Sequence, residues 1–212
     1  SSSGVLTFAS APDYETKNSY TATVTVSDGT ASTTQNITVN VTDVNETPYI
    51  TTTGFLVDEG ESSVDISAYV FDEDGDTVAF EMNPGFTDIA ISSAGVITLV
   101  SNEPFDYEQQ SEYGFQIGLS DGALSTFPLI TVRVNNLNDN NPSITSSATF
   151  SANENQTAIG SVTAADADGG SLTYSISGSE IRISNSGVLT FANAPDYETK
   201  NSYTATVTVS DG

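Results

Sequence analysis

The sequence SGVLTFASAPDYETKNSYTATVTVSDG at residues 3–29 occurs again at residues 186–212, where Asn193 replaces Ser10 and nothing else differs. A third stretch, FDYEQQSEYGFQIGLSDG at 105–122, has the same order of features: Asp-Tyr-Glu, a spacer, an alternating segment and Ser-Asp-Gly. Self-similarity at a regular spacing indicates a repeat architecture. The chain is therefore predicted to be a tandem array in which near-identical units alternate with a more divergent one.

The segments around these marks alternate large apolar residues with polar ones. The pattern is clear at 20–26, 37–41, 115–119 and 130–134. Strict alternation is typical of a strand with one buried face, and Gly, Ser, Asn and Asp interrupt the chain every ~8–12 residues, as in a β-sandwich. No segment shows the periodicity of an amphipathic helix. The prediction is an all-β fold.

Two acidic segments that end in proline divide the chain, DVNETP at 43–48 and NLNDNNP at 136–142. The predicted domains are the C-terminal part of a repeat at 1–48, a complete repeat at 49–142, and a repeat that lacks its last strand at 143–212. The sequence at 30–42 corresponds to that missing strand. We expect a slice of a longer array, in which neither end domain folds well alone.

The composition excludes several functions. The 28 Asp and Glu stand against four Lys and Arg, for a formal net charge of −24, whereas nucleic-acid binding needs a basic surface. His and Cys are absent, which removes the usual ligands of zinc and the usual Ser–His or Cys–His nucleophiles. Without disulfides, a metal is the expected stabiliser of such small domains. No apolar stretch approaches the roughly 20 residues of a membrane-spanning helix, so no membrane insertion of this segment is expected.

Acidic residues recur at corresponding positions of every repeat, and with three linker acids they account for most of the 28. An isolated Ser-Asp-Gly is more often only a turn, but here it is in register with the other marks. The recurrent positions are Glu59, Asp72, Asp74, Asp106, Glu108 and Asp121 in the middle repeat, Glu154, Asp166, Asp168, Asp196, Glu198 and Asp211 in the third, Asp13, Glu15 and Asp28 in the first, and Asp43, Glu46 and Asp139 in the linkers.

This series resembles the cadherin repeat family over the entire chain. The family's marks are an early Glu, an Asp-x-Asp, an Asp-Arg-Glu and a late Asp, followed by an Asp-x-Asn-Asp-Asn-x-Pro linker. The resemblance implies tandem seven-stranded Greek-key sandwiches, with up to three Ca²⁺ ions between successive domains. Ca²⁺ takes six to eight oxygen ligands, and a divalent ion would turn the repulsion between clustered carboxylates into a crosslink.

The resemblance also implies the ligands, position by position. At the linker 136–142 they are Glu59, Asp106, Glu108, Asn136, Asn138, Asp139, Asp166, Asp168 and Asp211, with main-chain oxygens of Leu137 and Asn140. At the linker 43–48 they are Asp13, Glu15, Asp43, Asn45, Glu46, Asp72, Asp74 and Asp121. Three positions depart from the family: Asn136 stands where it has Asp, and Glu46 and Thr47 stand where it has Asp and Asn. The two junctions are therefore predicted to bind Ca²⁺ unequally.

The predicted function is a calcium-stiffened, non-enzymatic repeat array of an extracellular surface adhesin or filament. Near-identical alternating units without cysteine favour a bacterial source. Expected partners are the neighbouring repeats, with homotypic self-association or surface glycans beyond them. A polysaccharide-binding module is the alternative, and exposed aromatic platforms would favour it. Paired carboxylates also suggest a glycosidase, but the pairs recur in every unit, which catalysis does not require.

Overall fold

The computed structural model describes residues 4–212. The first three residues, where the predicted domain 1–48 and the repeated stretch 3–29 begin, lie outside the described residues. The regular secondary structure of the described chain is strand throughout, apart from a single 3-10 helix at Ser67–Tyr69, which confirms the all-β prediction. It divides into two compact units: the first runs through Phe105 and includes Glu112–Val134, and the second comprises Asp106–Ser111 and Asn135–Gly212. The three-domain division of the sequence stays a prediction.

The first unit holds twelve strands. They are β1 (Ser19–Ser27), β2 (Ser32–Asn40), β3 (Tyr49–Ile50), β4 (Gly54–Asp58), β5 (Val64–Asp65), β6 (Val70–Phe71), β7 (Ala79–Met82), β8 (Ile89–Ile91), β9 (Val96–Leu99), β10 (Glu112–Ser120), β11 (Ser125–Thr126) and β12 (Leu129–Asn135). β10 is central: it pairs antiparallel with β12, β11 and β7, and β12 continues to β4. A second sheet has the order β5-β9-β8, and β1-β2 and β3-β6 form two-stranded ribbons.

The core of the first unit follows from the alternation in the sequence. In β10 and β12 every second side chain is buried, and Phe115, Ile117, Leu119, Ile130 and Val132 are fully enclosed. Residues of the β5-β9-β8 sheet, with Ile97 fully buried among them, belong to the same apolar cluster. Two sheets that share one core form a β-sandwich, as the sequence predicts.

The second unit holds seven strands. They are β13 (Ser143–Ile144), β14 (Ala158–Ser161), β15 (Ala164–Ala165), β16 (Thr173–Ile176), β17 (Ile181–Ile183), β18 (Val188–Phe191) and β19 (Val207–Ser210). Their sheets have the orders β14-β18-β17, β16-β19 and β13-β15. Only Val162 and Leu189 of the unit's described hydrophobic residues are buried, so its core is much smaller than that of the first unit.

Candidate metal centre

Three carboxylates converge in the first unit. Oxygen atoms of Glu15, Glu46 and Asp74 lie within 4.8 Å of one another. The loop after β6 positions Asp74, because Asp72 Oδ1 accepts hydrogen bonds from the backbone N–H groups of Asp74 at 3.1 Å and Asp76 at 3.3 Å. The Glu46 N–H in turn donates to Asp74 Oδ2 at 2.9 Å. This arrangement joins the linker 43–48 to the loop that carries the Asp-x-Asp mark.

The Ser-Asp-Gly turn after β10 is fixed to the same linker. Asn45 Nδ2 donates to Asp121 Oδ2 at 2.8 Å. The other oxygen of Asp121 accepts the N–H groups of Ala123 and Leu124, each at 2.6 Å. These bonds favour the ionised carboxylate and lower the pKa of Asp121, led by the bond from Leu124. Asp121 is therefore held as an anion beside the linker.

Electrostatic repulsion marks the cluster in the first unit. Burial, followed by the negative charges of Asp74, Glu73 and other neighbouring acids, raises the pKa of Glu46. The pKa of Glu15 is also raised: its own backbone hydrogen bond lowers it, but burial, a hydrogen bond to Asp13 and the charge of Glu46 outweigh that bond. Neither of the two ion pairs among residues 4–212 involves these acids. The pattern of sequence marks did not identify Glu73, whose charge adds to the repulsion.

Carboxylate oxygens without a hydrogen-bond partner indicate which kind of metal ion this cluster could bind. Glu46 Oε2 and Asp72 Oδ2 are buried from solvent and have no hydrogen-bond partner. Buried polar atoms are nearly always satisfied, and each exception calls for an explanation. Unsatisfied carboxylate oxygens in a strongly acidic cluster are the donors that a hard divalent cation prefers. The residues therefore fit Ca²⁺, and they offer no nitrogen or sulfur ligand that would favour zinc.

The second unit has an analogous cluster of its own. Oxygens of Glu108, Asp139 and Asp168 lie within 4.8 Å of one another. Asn140 is the organising residue: its N–H donates to Asp168 Oδ2 at 2.7 Å, and its Nδ2 lies 2.8 Å from Asp168 Oδ1, 2.8 Å from Asp139 Oδ1 and 3.3 Å from Glu108 Oε2. The hydrogen bonds from the Asn140 side chain are the main reason that the pKa of Asp168 is lowered.

The neighbours of Asp168 extend this second cluster. Asn136 Nδ2 donates to the Asp168 carbonyl oxygen at 3.0 Å, so in this structure the residue that departs from the family serves as a donor. Asp166 Oδ1 accepts the Asp168 N–H at 3.0 Å, whereas Asp166 Oδ2 is buried without a partner. Glu59 lies in the first unit, directly after β4, and is only 6% exposed. The second unit therefore repeats both the acidic triplet and the orphaned Asp-x-Asp oxygen of the first.

A third triplet consists of Glu154, Asp196 and Glu198, all exposed. Glu154 Oε2 accepts the Tyr197 N–H at 3.0 Å, which ties the early Glu to the Asp-Tyr-Glu turn within the second unit. Asp28, another of the recurrent acids, closes a tight turn by accepting the N–H groups of Thr30 and Ala31.

The Asp of each Asp-Tyr-Glu has a local partner that the sequence reasoning missed. Asp13 accepts the N–H and hydroxyl of Thr16 at 3.1 and 2.8 Å, and Asp106 accepts the N–H and side-chain amide of Gln109 at 2.9 and 2.7 Å. Side-chain hydrogen bonds from the residue three positions later are the largest cause of the lowered pKa values of Asp13 and Asp106. A donor side chain at that position was the available signal. Asp43 and Asp211 belong to none of the three triplets.

Comparison with known proteins supplies the fold family. The chain is 28% identical over 205 residues to the Fat-like cadherin-related tumor suppressor homolog of Drosophila melanogaster, covering 87% of this chain and 4% of that protein. It is 32% identical over 157 residues to Protocadherin-23 of Homo sapiens, covering 66% and 4%. In structure it matches the Protocadherin gammaB7 EC3-6 cis-dimer structure with a TM-score of 0.65, at 22% identity, over 96% of this chain and 57% of that one. The chain has a cadherin-like fold.

Further comparisons include another cadherin structure and one enzyme, and the matched share of the relatives is small. Mouse Cadherin-23 EC22-24 matches with a TM-score of 0.60, at 19% identity, over 96% of this chain and 72% of that one. Chitinase A of Pseudoalteromonas piscicida is 31% identical over 151 residues, covering 71% of this chain and 18% of that protein. No family model matches. The cadherin-like chain thus spans about 4% of the length of the cadherin relatives it matches.

The expected localisation agrees with these matches. Among the solved structures are extracellular cadherin domains of Protocadherin Gamma B2 and the ectodomain of human Desmocollin-1. Both of those proteins are extracellular there, in agreement with the localisation predicted from the sequence. In the described part of the chain, no helix has the length and apolar character needed to cross a membrane.

Proposed function

We propose that this chain is part of an extracellular, calcium-stiffened adhesive array whose acidic clusters bind Ca²⁺ at the linkers 43–48 and 136–142. The observation that carries the proposal is the pairing of each of the two linker triplets with a buried, partnerless carboxylate oxygen, on Asp72 in the first unit and on Asp166 in the second. In both clusters a linker residue joins acids from separate loops. A bound cation would hold those loops together.

Glu15, Glu46 and Asp74 would hold Ca²⁺ in the first unit, with Asp72 supplying its orphaned oxygen. In the second unit Glu108, Asp139 and Asp168 would hold it, and the correspondence with the family adds Glu59 to that set. The ion supplies positive charge that offsets the repulsion between carboxylates. Because a ligand that binds only the folded state stabilises it, binding energy would go into ordering the linkers.

Calcium titration of the 212-residue chain tests the proposal. We expect isothermal titration calorimetry to detect binding and the thermal midpoint to rise as Ca²⁺ approaches about 1 mM, the range of extracellular modules. Asp74→Asn should weaken binding, whereas Asp88→Asn, an exposed acid of the same unit outside the triplets, should not. No binding heat together with an unchanged midpoint would refute the proposal, as would equal effects of the two variants.

Homotypic association and the lack of enzymatic activity are part of the same proposal. One of the matched structures is a cis-dimer of Protocadherin gammaB7, which is a property of that protein and only a guide for this chain. Polysaccharide recognition stays an untested prediction. It is not proposed as a second function, because no feature of the described clusters favours it.

A further inference from the structure

Five Asp-Gly pairs occur in the chain, and the glycine of each has a positive φ. They are Asp28-Gly29, Asp74-Gly75, Asp121-Gly122, Asp168-Gly169 and Asp211-Gly212. Glycine has no side chain to obstruct its own nitrogen and gives the backbone unusual freedom, so in such a pair that nitrogen can attack the carboxyl carbon of the preceding Asp. Because all five pairs have the same two residues, a difference in their reactivity has to come from the fold.

In four of the pairs an oxygen atom of the same turn holds the glycine N–H. The bonds run from Gly29 to Ser27 Oγ at 3.2 Å, from Gly122 to Ser120 Oγ at 3.2 Å, from Gly212 to Ser210 Oγ at 3.3 Å, and from Gly75 to the carbonyl oxygen of Asp72 at 3.3 Å. A nitrogen that turns toward the neighbouring carboxyl carbon has to give up such a bond. These four pairs are therefore restrained.

Asp168-Gly169 is the pair without this restraint. Within residues 4–212, no group accepts the Gly169 N–H, and Gly169 is exposed. Gly170 follows it, also exposed and with a φ of +101°, so two successive residues lack a side chain that would limit backbone rotation. The equivalent loop of the first unit has Asp76 at that position, and Asp72 Oδ1 accepts its N–H at 3.3 Å.

The carboxylates do not separate the pairs in the same way. Asp28, Asp74, Asp121 and Asp168 each accept at least one backbone N–H from a residue outside the pair. The carbon that would be attacked is thus held in all four. What distinguishes Asp168-Gly169 from the other three is the freedom of the attacking nitrogen.

We propose that Asp168 is a site of spontaneous covalent modification, where the backbone closes on the side chain and reopens as isoaspartate. The Gly169 nitrogen forms a bond to Asp168 Cγ, and one carboxylate oxygen leaves as water, with the amide proton and one proton from solvent. Water then adds to the main-chain carbonyl carbon of Asp168 in the five-membered ring, the bond from that carbon to nitrogen breaks, and a proton returns to solvent. Water is the only co-reactant, and the product is an isomer of the starting chain.

The consequence for the second cluster rests on the proposed calcium binding. In isoaspartate the chain continues through Cγ, and the free carboxylate is attached directly to Cα. Asp168 would then no longer present its oxygens beside Glu108 and Asp139, with which they now lie within 4.8 Å. The reaction would slowly disable the second calcium site, whereas Asp74 in the first cluster is protected by the bond of Gly75.

Ageing of the folded chain, resolved by site, tests the proposal. The 212-residue chain is incubated in chelator at pH 7, and isoaspartate at each pair is measured by peptide mapping with mass spectrometry. We expect Asp168 to convert about fivefold faster than Asp28, Asp74 and Asp121, since one hydrogen bond of ordinary strength corresponds to about that factor in rate. In denaturant the four rates should converge. Equal rates in the folded chain overturn the proposal, and so does a preference for Asp168 that persists in denaturant.

Ser120→Ala tests the role of the restraint, because the Ser120 hydroxyl accepts the Gly122 N–H. The variant should raise the rate at Asp121 about fivefold and leave the rate at Asp168 unchanged. Ser171→Ala, which removes an exposed hydroxyl beside Gly170, is the matched control and should change neither rate. An unchanged rate at Asp121 in Ser120→Ala would overturn the explanation.

Calcium titration of fresh and aged chains keeps the two proposals apart. A fresh chain that gives no binding heat refutes the calcium sites and leaves the measured isoaspartate at Asp168 in place. A fresh chain that binds Ca²⁺ and an aged chain with isoaspartate at Asp168 that binds it equally well refute only the consequence for the second cluster. We expect the aged chain to lose binding in proportion to its content of isoaspartate at Asp168.

Discussion

At the scale of single residues, Glu46 combines the two signs of a metal ligand, a repelled carboxylate and an orphaned oxygen. Its pKa in the folded protein is above its ordinary value of 4.5. The metal-free protein therefore carries a penalty that is fully present above the folded pKa and disappears as the pH falls to 4.5. Bound Ca²⁺ would remove the same penalty at neutral pH by supplying a counter-charge.

Glu46→Gln should therefore act in opposite directions with and without metal. In chelator at pH 7 the variant should be more stable than the unaltered chain, because a repelled charge is lost. Its calcium affinity should fall by about tenfold, since affinity follows the charge count of the ligands. Urea unfolding at pH 7 and pH 4, with and without Ca²⁺, measures both effects. A variant that is less stable in chelator, or that binds Ca²⁺ normally, would contradict the role assigned to Glu46.

At the scale of secondary-structure elements, the two copies of the repeated stretch have nearly the same sequence but different tertiary contacts. Gly187→Ala should destabilise the second unit by ~1–3 kcal/mol more than Gly4→Ala destabilises the chain, because overpacking a close contact costs about that amount. Both glycines have positive φ, +81° and +72°, so the backbone cost is shared, and only Gly187 faces the Val162 carbonyl. Chemical denaturation of dilute samples, where any self-association is minimal, gives the comparison. Equal losses of stability in the two variants would mean that the nearby Val162 carbonyl adds no cost to the substitution at Gly187.

The same element shows what the sequence could and could not predict. Alternation at 20–26, 115–119 and 130–134 predicted strands, and β1, β10 and β12 contain those residues. β2 begins at Ser32, before its apolar alternation, because pairing with β1 extends the strand through polar residues. Residues 203–206 share the sequence of 20–23 without forming a strand, since strand formation depends on a partner as much as on propensity. Likewise, the acidic marks predicted the ligand types, but the convergence of Glu15, Glu46 and Asp74 depends on how loops fold.

At the scale of the whole molecule, the proposed array depends on whether metal restricts the motion of one repeat relative to the next. The two acidic triplets at the linkers differ in their organising residue. In the second, Asn140 Nδ2 lies within hydrogen-bond distance of three carboxylates. In the first, Glu46 makes the corresponding backbone bond, to Asp74, and brings a further carboxylate in place of an amide donor. Because hydrogen bonds stabilise the carboxylates of the second cluster more than those of the first, we expect the two junctions to depend unequally on Ca²⁺. The first junction should rely more on the ion.

Single-molecule fluorescence energy transfer measures that restriction, because the chain has no cysteine and can be labelled at Thr87→Cys and Ser179→Cys, both exposed. We expect the distribution of transfer efficiencies to be broad in chelator and to narrow as Ca²⁺ is added, since binding would order the linker 136–142. Asp139→Ala should keep the distribution broad at calcium concentrations that narrow it in the unaltered chain. Asp88→Asn, which removes an exposed acid outside the triplets, should narrow normally. If the width of the distribution does not change with Ca²⁺, the proposal that the ion stiffens the array is refuted, even where calorimetry detects binding.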